Sequence, residues 1–207
     1  MVGSSFNRKL LGFVSVLLLV FLCAQAAFAD DEQEIRATFT SLQKAFVSKD
    51  GNQALSLIST DTKEYYRMLS SIASGDLSLE KLESQNLTPL NLFMIKHARR
   101  NLPKGFWKDY KKSNPDKLLK FAVDKGLGSQ ELTDNVRLGK VNIEGAAAAG
   151  KLIKGAKPLP LQLAFKKEDG NWKVSLLSMF EQANRSAEAF LKKSGMTVKD
   201  LEQAMLK

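Results

Sequence analysis

A single cysteine, Cys23, and a single histidine, His97, occur in 207 residues. Thiolate-ligated zinc needs several cysteines, and an imidazole-ligated metal needs a spacing such as His-x3-His, so neither site can be assembled. No glycine-rich phosphate loop and no Gly-x-Ser-x-Gly elbow is present. The acids and serines form no set of nucleophile, base and orienting group. No metal and no cofactor is therefore expected. Internal repeats and low-complexity tracts are missing too. A hydrophobic fraction of 44% with 26% charged residues excludes a disordered, collagen-like or multi-span membrane chain.

What is present begins with an export signal. Arg8 and Lys9 precede the uncharged stretch Leu10–Leu22, and Ala27-Phe28-Ala29 follows. A basic start, an apolar run and small residues before a cut after Ala29 read as a signal peptide over 1–29. The protein is expected to be exported, periplasmic in a Gram-negative cell and secreted otherwise. The alternative is a membrane anchor formed by an uncleaved 10–29 segment, which is just long enough to span a bilayer. Lipid attachment at Cys23 is disfavoured by Leu22, where such signals resemble one another in a small residue. Residues 30–207 then contain no cysteine, so a single domain must hold together without disulfides, and 178 residues suffice for that.

Ile35, Phe39, Leu42 and Phe46 recur at helical spacing and predict a helix over 31–49. A short helix through Ala54, Leu55 and Ile58 follows Asp50-Gly51. Thr60 or Asp61 caps a third over 62–73. Thr88-Pro89 opens another that Pro103 closes, and Asn114-Pro115 opens one over 115–125 that ends at Gly126. After Gly128 the period falls to two. Val136 and Leu138 share one phase and Val141 and Ile143 the other, so a β-bulge is expected at Gly139-Lys140. Ala146–Ile153, Leu159–Phe165 and Trp172–Leu176 complete a four-strand antiparallel meander, the last pair joined by the turn Glu168-Asp169-Gly170-Asn171. Two helices, over 181–194 and 198–206, close the chain, with Thr197 and Asp200 as a capping box for the second.

The opening helix, the short second helix after Asp50-Gly51 and the late hairpin Phe165-x4-Gly170-x-Trp172-Lys173-Val174 resemble the NTF2-like (cystatin-like α+β) superfamily. Phe39–Asp61 and Leu159–Leu176 carry the resemblance, about a quarter of residues 30–207. It implies an α+β fold with N-terminal helices on a curved sheet of about four strands, forming a cone. Family members use that cone for catalysis, ligand binding or dimerisation. The helical insertion over about 75–128 and the two helices after the sheet depart from the family pattern.

On its helix His97 shares a face with Leu90, Phe93 and Met94. It reads as a histidine packed in an apolar environment, and it is also the one candidate acid or base. Tyr66, His97, Phe165 and Trp172 are the expected lining of an apolar pocket. Residues 30–207 carry 29 basic and 22 acidic side chains, and the whole surplus of seven lies in 96–125. Arg99, Arg100, Lys104, Lys108, Lys111 and Lys112 there form either a solvated face or a surface for anionic lipid or an acidic protein. The interleaved Phe106, Trp107 and Tyr110 favour a membrane interface. Nucleic acid is not expected. The leading expectation is a non-enzymatic binding protein for a small hydrophobic or amphiphilic ligand. An interaction or homodimerisation module is the first alternative, and an isomerase- or dehydratase-like enzyme using His97 is the second.

Overall fold

The computed structural model describes residues 30–75, 81, 87–102, 106, 116–126, 130–197, 199–200 and 203. Helix α1 (30–48) places Ile35, Phe39, Leu42 and Phe46 on one buried face. Asp50 then reverses the chain and caps α2 (Gly51–Leu57), accepting from the Gln53 N–H at 2.9 Å. Helix α3 (Thr60–Ala73) follows, with Ser59 as its cap residue rather than Thr60 or Asp61. Asp61 serves the same helix end from inside, taking the Thr62 N–H at 2.6 Å.

Thr88 caps α4 (Pro89–Asn101), its hydroxyl accepting from the Asn91 N–H at 3.4 Å, as the Thr-Pro pair predicts. Helix α5 (Lys117–Asp124) ends at Gly126, whose φ is +70°. Pro103, Asn114 and Pro115 lie outside the described residues. One further helical turn, α6 (Gln130–Thr133), stands where only a change to strand periodicity is expected.

The sheet is an antiparallel meander of β1 (Val136–Glu144), β2 (Ala147–Lys154), β3 (Lys157–Glu168) and β4 (Asn171–Ser175) in the order 1-2-3-4. Its register slips between Leu138 and Val141, so the expected bulge is there and both halves of β1 send their apolar side chains inward. Asp169 and Gly170 form the hairpin tip with φ of 51° and 79°. Two successive left-handed residues match the twist of the strands they join, and glycine adopts that region without strain. Helix α7 (Leu177–Ser194) follows, one turn earlier than the pattern predicts. It has no side-chain cap to announce its start. Thr197 and Asp200 exchange hydrogen bonds of 2.8 and 3.2 Å as a capping box, while most of 198–206 lies outside the described residues.

The fold is thus α+β, with helices leading into a curved, open four-strand sheet. Its main core lies between that sheet and α1, α2 and α5, around Phe39, Leu42, Ile58, Phe165, Trp172 and Val174. A satellite cluster of Leu69, Ala73, Leu92 and Ile95 joins α3 to α4. Gly51 sets how closely α2 meets α5. A Cβ there would stand 2.5 Å from Asp124 Oδ1 and 2.7 Å from the Lys120 carbonyl oxygen, and the Gly51 N–H donates to that carboxylate at 2.8 Å.

Candidate functional site

Helix α3 has two jobs. One side faces the main core and the other the satellite cluster, and between the clusters the helices do not close. A cavity of about 400 Å³ remains where α3, α4 and α5 diverge and α7 crosses. Helix α3 contributes Tyr66, Leu69 and Ala73 to its wall. Helix α4 adds Phe93, Met94, His97 and Ala98, related by steps of three and four residues and hence on one face. Leu118, Phe121 and Ala122 come from α5 by the same spacing. Phe180 of α7 closes one end, stacked on Tyr65 at 4.9 Å and meeting Tyr66 edge-on at 5.8 Å.

Only two side chains in that wall carry a strong hydrogen-bonding group. The His97 ring lies against Phe93, centroids 5.7 Å apart and planes 28° from parallel. Tyr66 is half-buried, and burial, with Tyr65 beside it, pushes its phenol far above the ordinary tyrosine range, so it remains neutral. Among the described residues its hydroxyl has no protein hydrogen-bond partner, and it is not sealed from open space. Tyr65 is different: its hydroxyl donates to Asn91 Oδ1, tying α3 to α4, and burial pushes its pKa up to about 12. The lining side chains include no carboxylate, lysine or arginine.

The four expected pocket residues do not come together. Tyr66 and His97 line the helical cavity, whereas Phe165 and Trp172, each 1% exposed, belong to the filled core under the sheet. The correction has a simple cause. The inner face of the sheet is covered by α1 and α2, so Phe39, Leu42 and Ile58 occupy the space that a cone would leave open. Phe93, Phe121 and Phe180 are wall residues that the sequence reading did not single out as such. Their signal was helical spacing on three separate elements, which does not say that the three faces meet.

The basic segment is also redistributed. Arg99 turns inward and caps the far end of α3, donating to the carbonyls of Ala73, Ile72 and Gly75 at 2.8–2.9 Å. Its half-buried guanidinium is thus engaged by α3 as well as expected on a surface for anionic partners, because orphan carbonyls at a helix C-terminus attract a guanidinium. Lys96 is buried. Lys117 lies 4.8 Å over the ring of Phe106, itself buried, and Lys120 pairs with Asp124 at 2.6 Å. Arg100 is on the exposed side of α4. Lys104, Lys108, Lys111, Lys112, Trp107 and Tyr110 lie outside the described residues, as does the 1–29 segment.

Two polar clusters brace the frame rather than form a site. Asp31 accepts from Lys167 at 2.6 Å and from the Trp172 indole N–H at 2.8 Å, and these bonds hold its carboxyl below the usual range. Burial of Asp61 opposes its ionisation. Hydrogen bonds from Lys166, Ser59 and Ser175 outweigh that and lower its pKa. No group of three or more His, Cys, Asp and Glu among the described residues could hold a metal ion, and no helix there is long and apolar enough to cross a membrane. No protein-family model, curated protein or solved structure matches the chain.

Proposed function

We propose that the protein is an exported, non-enzymatic binding protein that takes a small hydrophobic or amphiphilic molecule into the cavity between α3, α4 and α5. The observation that carries this reading is the cavity itself, about 400 Å³ with aliphatic and aromatic walls and one unpartnered phenol. Small-molecule sites are commonly apolar hollows of roughly 300–1,000 Å³ with a few placed polar groups. An aliphatic chain would lie against Leu69, Met94 and Phe121, and a hydroxyl or similar head group would meet Tyr66. In terms of the NTF2-like resemblance, this pocket lies between α3 and the helices of the insertion rather than in the cone. Export rests on Arg8, Lys9, the apolar run and Ala27-Phe28-Ala29.

The test is displacement of an environment-sensitive apolar dye by decanol. Saturable displacement is expected, together with its loss in Ala98→Trp, which fills the wall from a residue 8% exposed. A folded variant that binds the dye as the parent does, or a parent that binds none, would overturn the proposal. Native mass spectrometry of the protein from the producing cell would identify any carried ligand.

A further inference from the structure

The strand order leaves β1 at one edge of the sheet. Its backbone groups can be sorted from the neighbouring hairpin. Gly145-Ala146 is a two-residue loop closed by the Glu144–Ala147 pair. Glu144 and Asn142 therefore turn their N–H and C=O groups toward β2, and Val141 and Ile143 turn theirs outward. Beyond the bulge the outward carbonyls belong to Val136, Leu138 and Gly139. Helix α1 takes all three: Gln43 donates to Val136 at 2.8 Å, and Arg36 to Leu138 and Gly139 at 3.0 and 2.9 Å. Among the described residues nothing outside the sheet bonds to Val141 or Ile143. Lys140, Asn142 and Glu144 are exposed, and Val141 and Ile143 are half-buried.

We propose that this edge pairs with the same edge of a second copy, antiparallel about a two-fold axis through Asn142. The sequence 140–144 is complementary to itself in that register. Lys140 stands opposite Glu144 of the other copy and Glu144 opposite its Lys140, giving two cross-strand pairs of opposite charge on the exposed face. On the inner face Val141 meets Ile143 twice, extending the apolar layer that each copy leaves half-covered. The outward groups of Val141 and Ile143 find each other, for four backbone hydrogen bonds. Moving the axis to Val141 would need the Gly139 carbonyl, which Arg36 already holds. Moving it to Ile143 would set Asn142 against Glu144 and leave Lys140 unmatched. Only the Asn142 register uses free groups and balances charge. A five-residue strand pair buries less than the roughly 1,200 Å² of a stable interface. Association is therefore concentration-dependent.

Sedimentation velocity of the isolated protein over a range of concentrations tests this. Lys140→Glu and Glu144→Lys should each weaken dimerisation by about tenfold, since two attractive exposed pairs become repulsive. Among the described residues neither side chain makes an ion pair, so the fold is spared. Mixing the two variants in equal amounts should restore association. One edge then carries carboxylates at both positions, and the edge opposite carries ammonium groups at both. The doubly reversed chain should dimerise like the parent. A monomer at every concentration, a dimer unmoved by either single reversal, or a mixture no tighter than its components would overturn the proposal.

Discussion

Replacing Trp172 by alanine removes the largest fully buried side chain among the described residues and should be the most damaging single truncation in the hairpin. Truncating a buried aromatic costs about 3–5 kcal/mol in transfer and cavity energy together. Trp172 lies at the upper end, for it is 1% exposed and its indole N–H is committed to Asp31 at 2.8 Å. The backbone is unaffected: the Trp172 N–H still reaches Glu34 at 3.0 Å, and its carbonyl still accepts from Thr38 at 3.3 Å. For a chain of this size each kcal/mol moves the midpoint by roughly 2–4 °C, so Trp172→Ala should lower Tm by about 8–20 °C in a calorimetric scan. Trp172→Phe separates the components. It keeps most of the apolar body and removes the donor, and a hydrogen bond to a charged group is worth about 1.5–3 kcal/mol. Asp31 also has its pKa lowered by Lys167 and Trp172, so the stability it contributes is full above the unfolded carboxylate range and lost as pH falls through its folded value. The gap between the parent and Trp172→Phe should accordingly narrow in acid. An alanine variant melting within about 3 °C of the parent would place Trp172 outside the core and refute the packing argument.

Gly51→Ala should destabilise by about 1–3 kcal/mol, because the new methyl group overlaps Asp124 and Lys120, and chemical denaturation reads it directly. Arg99→Met should lower stability by roughly 1.5–3 kcal/mol by uncapping α3 while leaving binding to anionic vesicles unchanged; a vesicle-binding defect in a stable variant would return Arg99 to the surface. Tyr66→Phe should weaken decanol binding by about five- to tenfold, the worth of one neutral hydrogen bond, and leave binding of decane unaltered. Asp61→Asn should flatten the acid limb of the stability profile, since Lys166, Ser59 and Ser175 favour the ionised form that low pH removes.

The strands were legible because the sheet has one wet face and one dry face. The phase change from Leu138 to Val141 could be read as a bulge since any other pairing would send Val141 and Ile143 into water. The helix start at Thr88, with its polar cap and following proline, could be located, and the start of α7, whose cap residue is Leu176, could not. The cavity was harder to see for a geometric reason. Spacing tells which face of a helix is apolar, and it is silent on which other face lies opposite. Tyr66 and Phe165 look alike as inward aromatics, yet one borders a void and the other sits in the packed layer between sheet and α1. Charge misled in the same way at Arg99. A guanidinium can serve a partner or its own chain, and composition counts both alike.

The short β4 bears on growth as well as shape. It pairs with β3 only from Ala164 onward, so the first half of β3 has a bare flank on that side. Pro158 and Pro160 have no N–H to offer there, while Gln182 donates to the Pro160 carbonyl and Ser178 to that of Gln162 at 3.1 Å. The outer side of β4 is occupied too, by Ile58 in a parallel bridge to Val174 and by the Ser59 N–H at 2.9 Å from the Val174 carbonyl. A sheet stoppered at one end behaves like a monofunctional monomer in a polymerisation. With the β1 pairing proposed above it would couple once, edge to edge, and among the described residues the coupled product would have no open edge left. Under that pairing addition would terminate at two chains, where a sheet open at both margins would propagate a fibre.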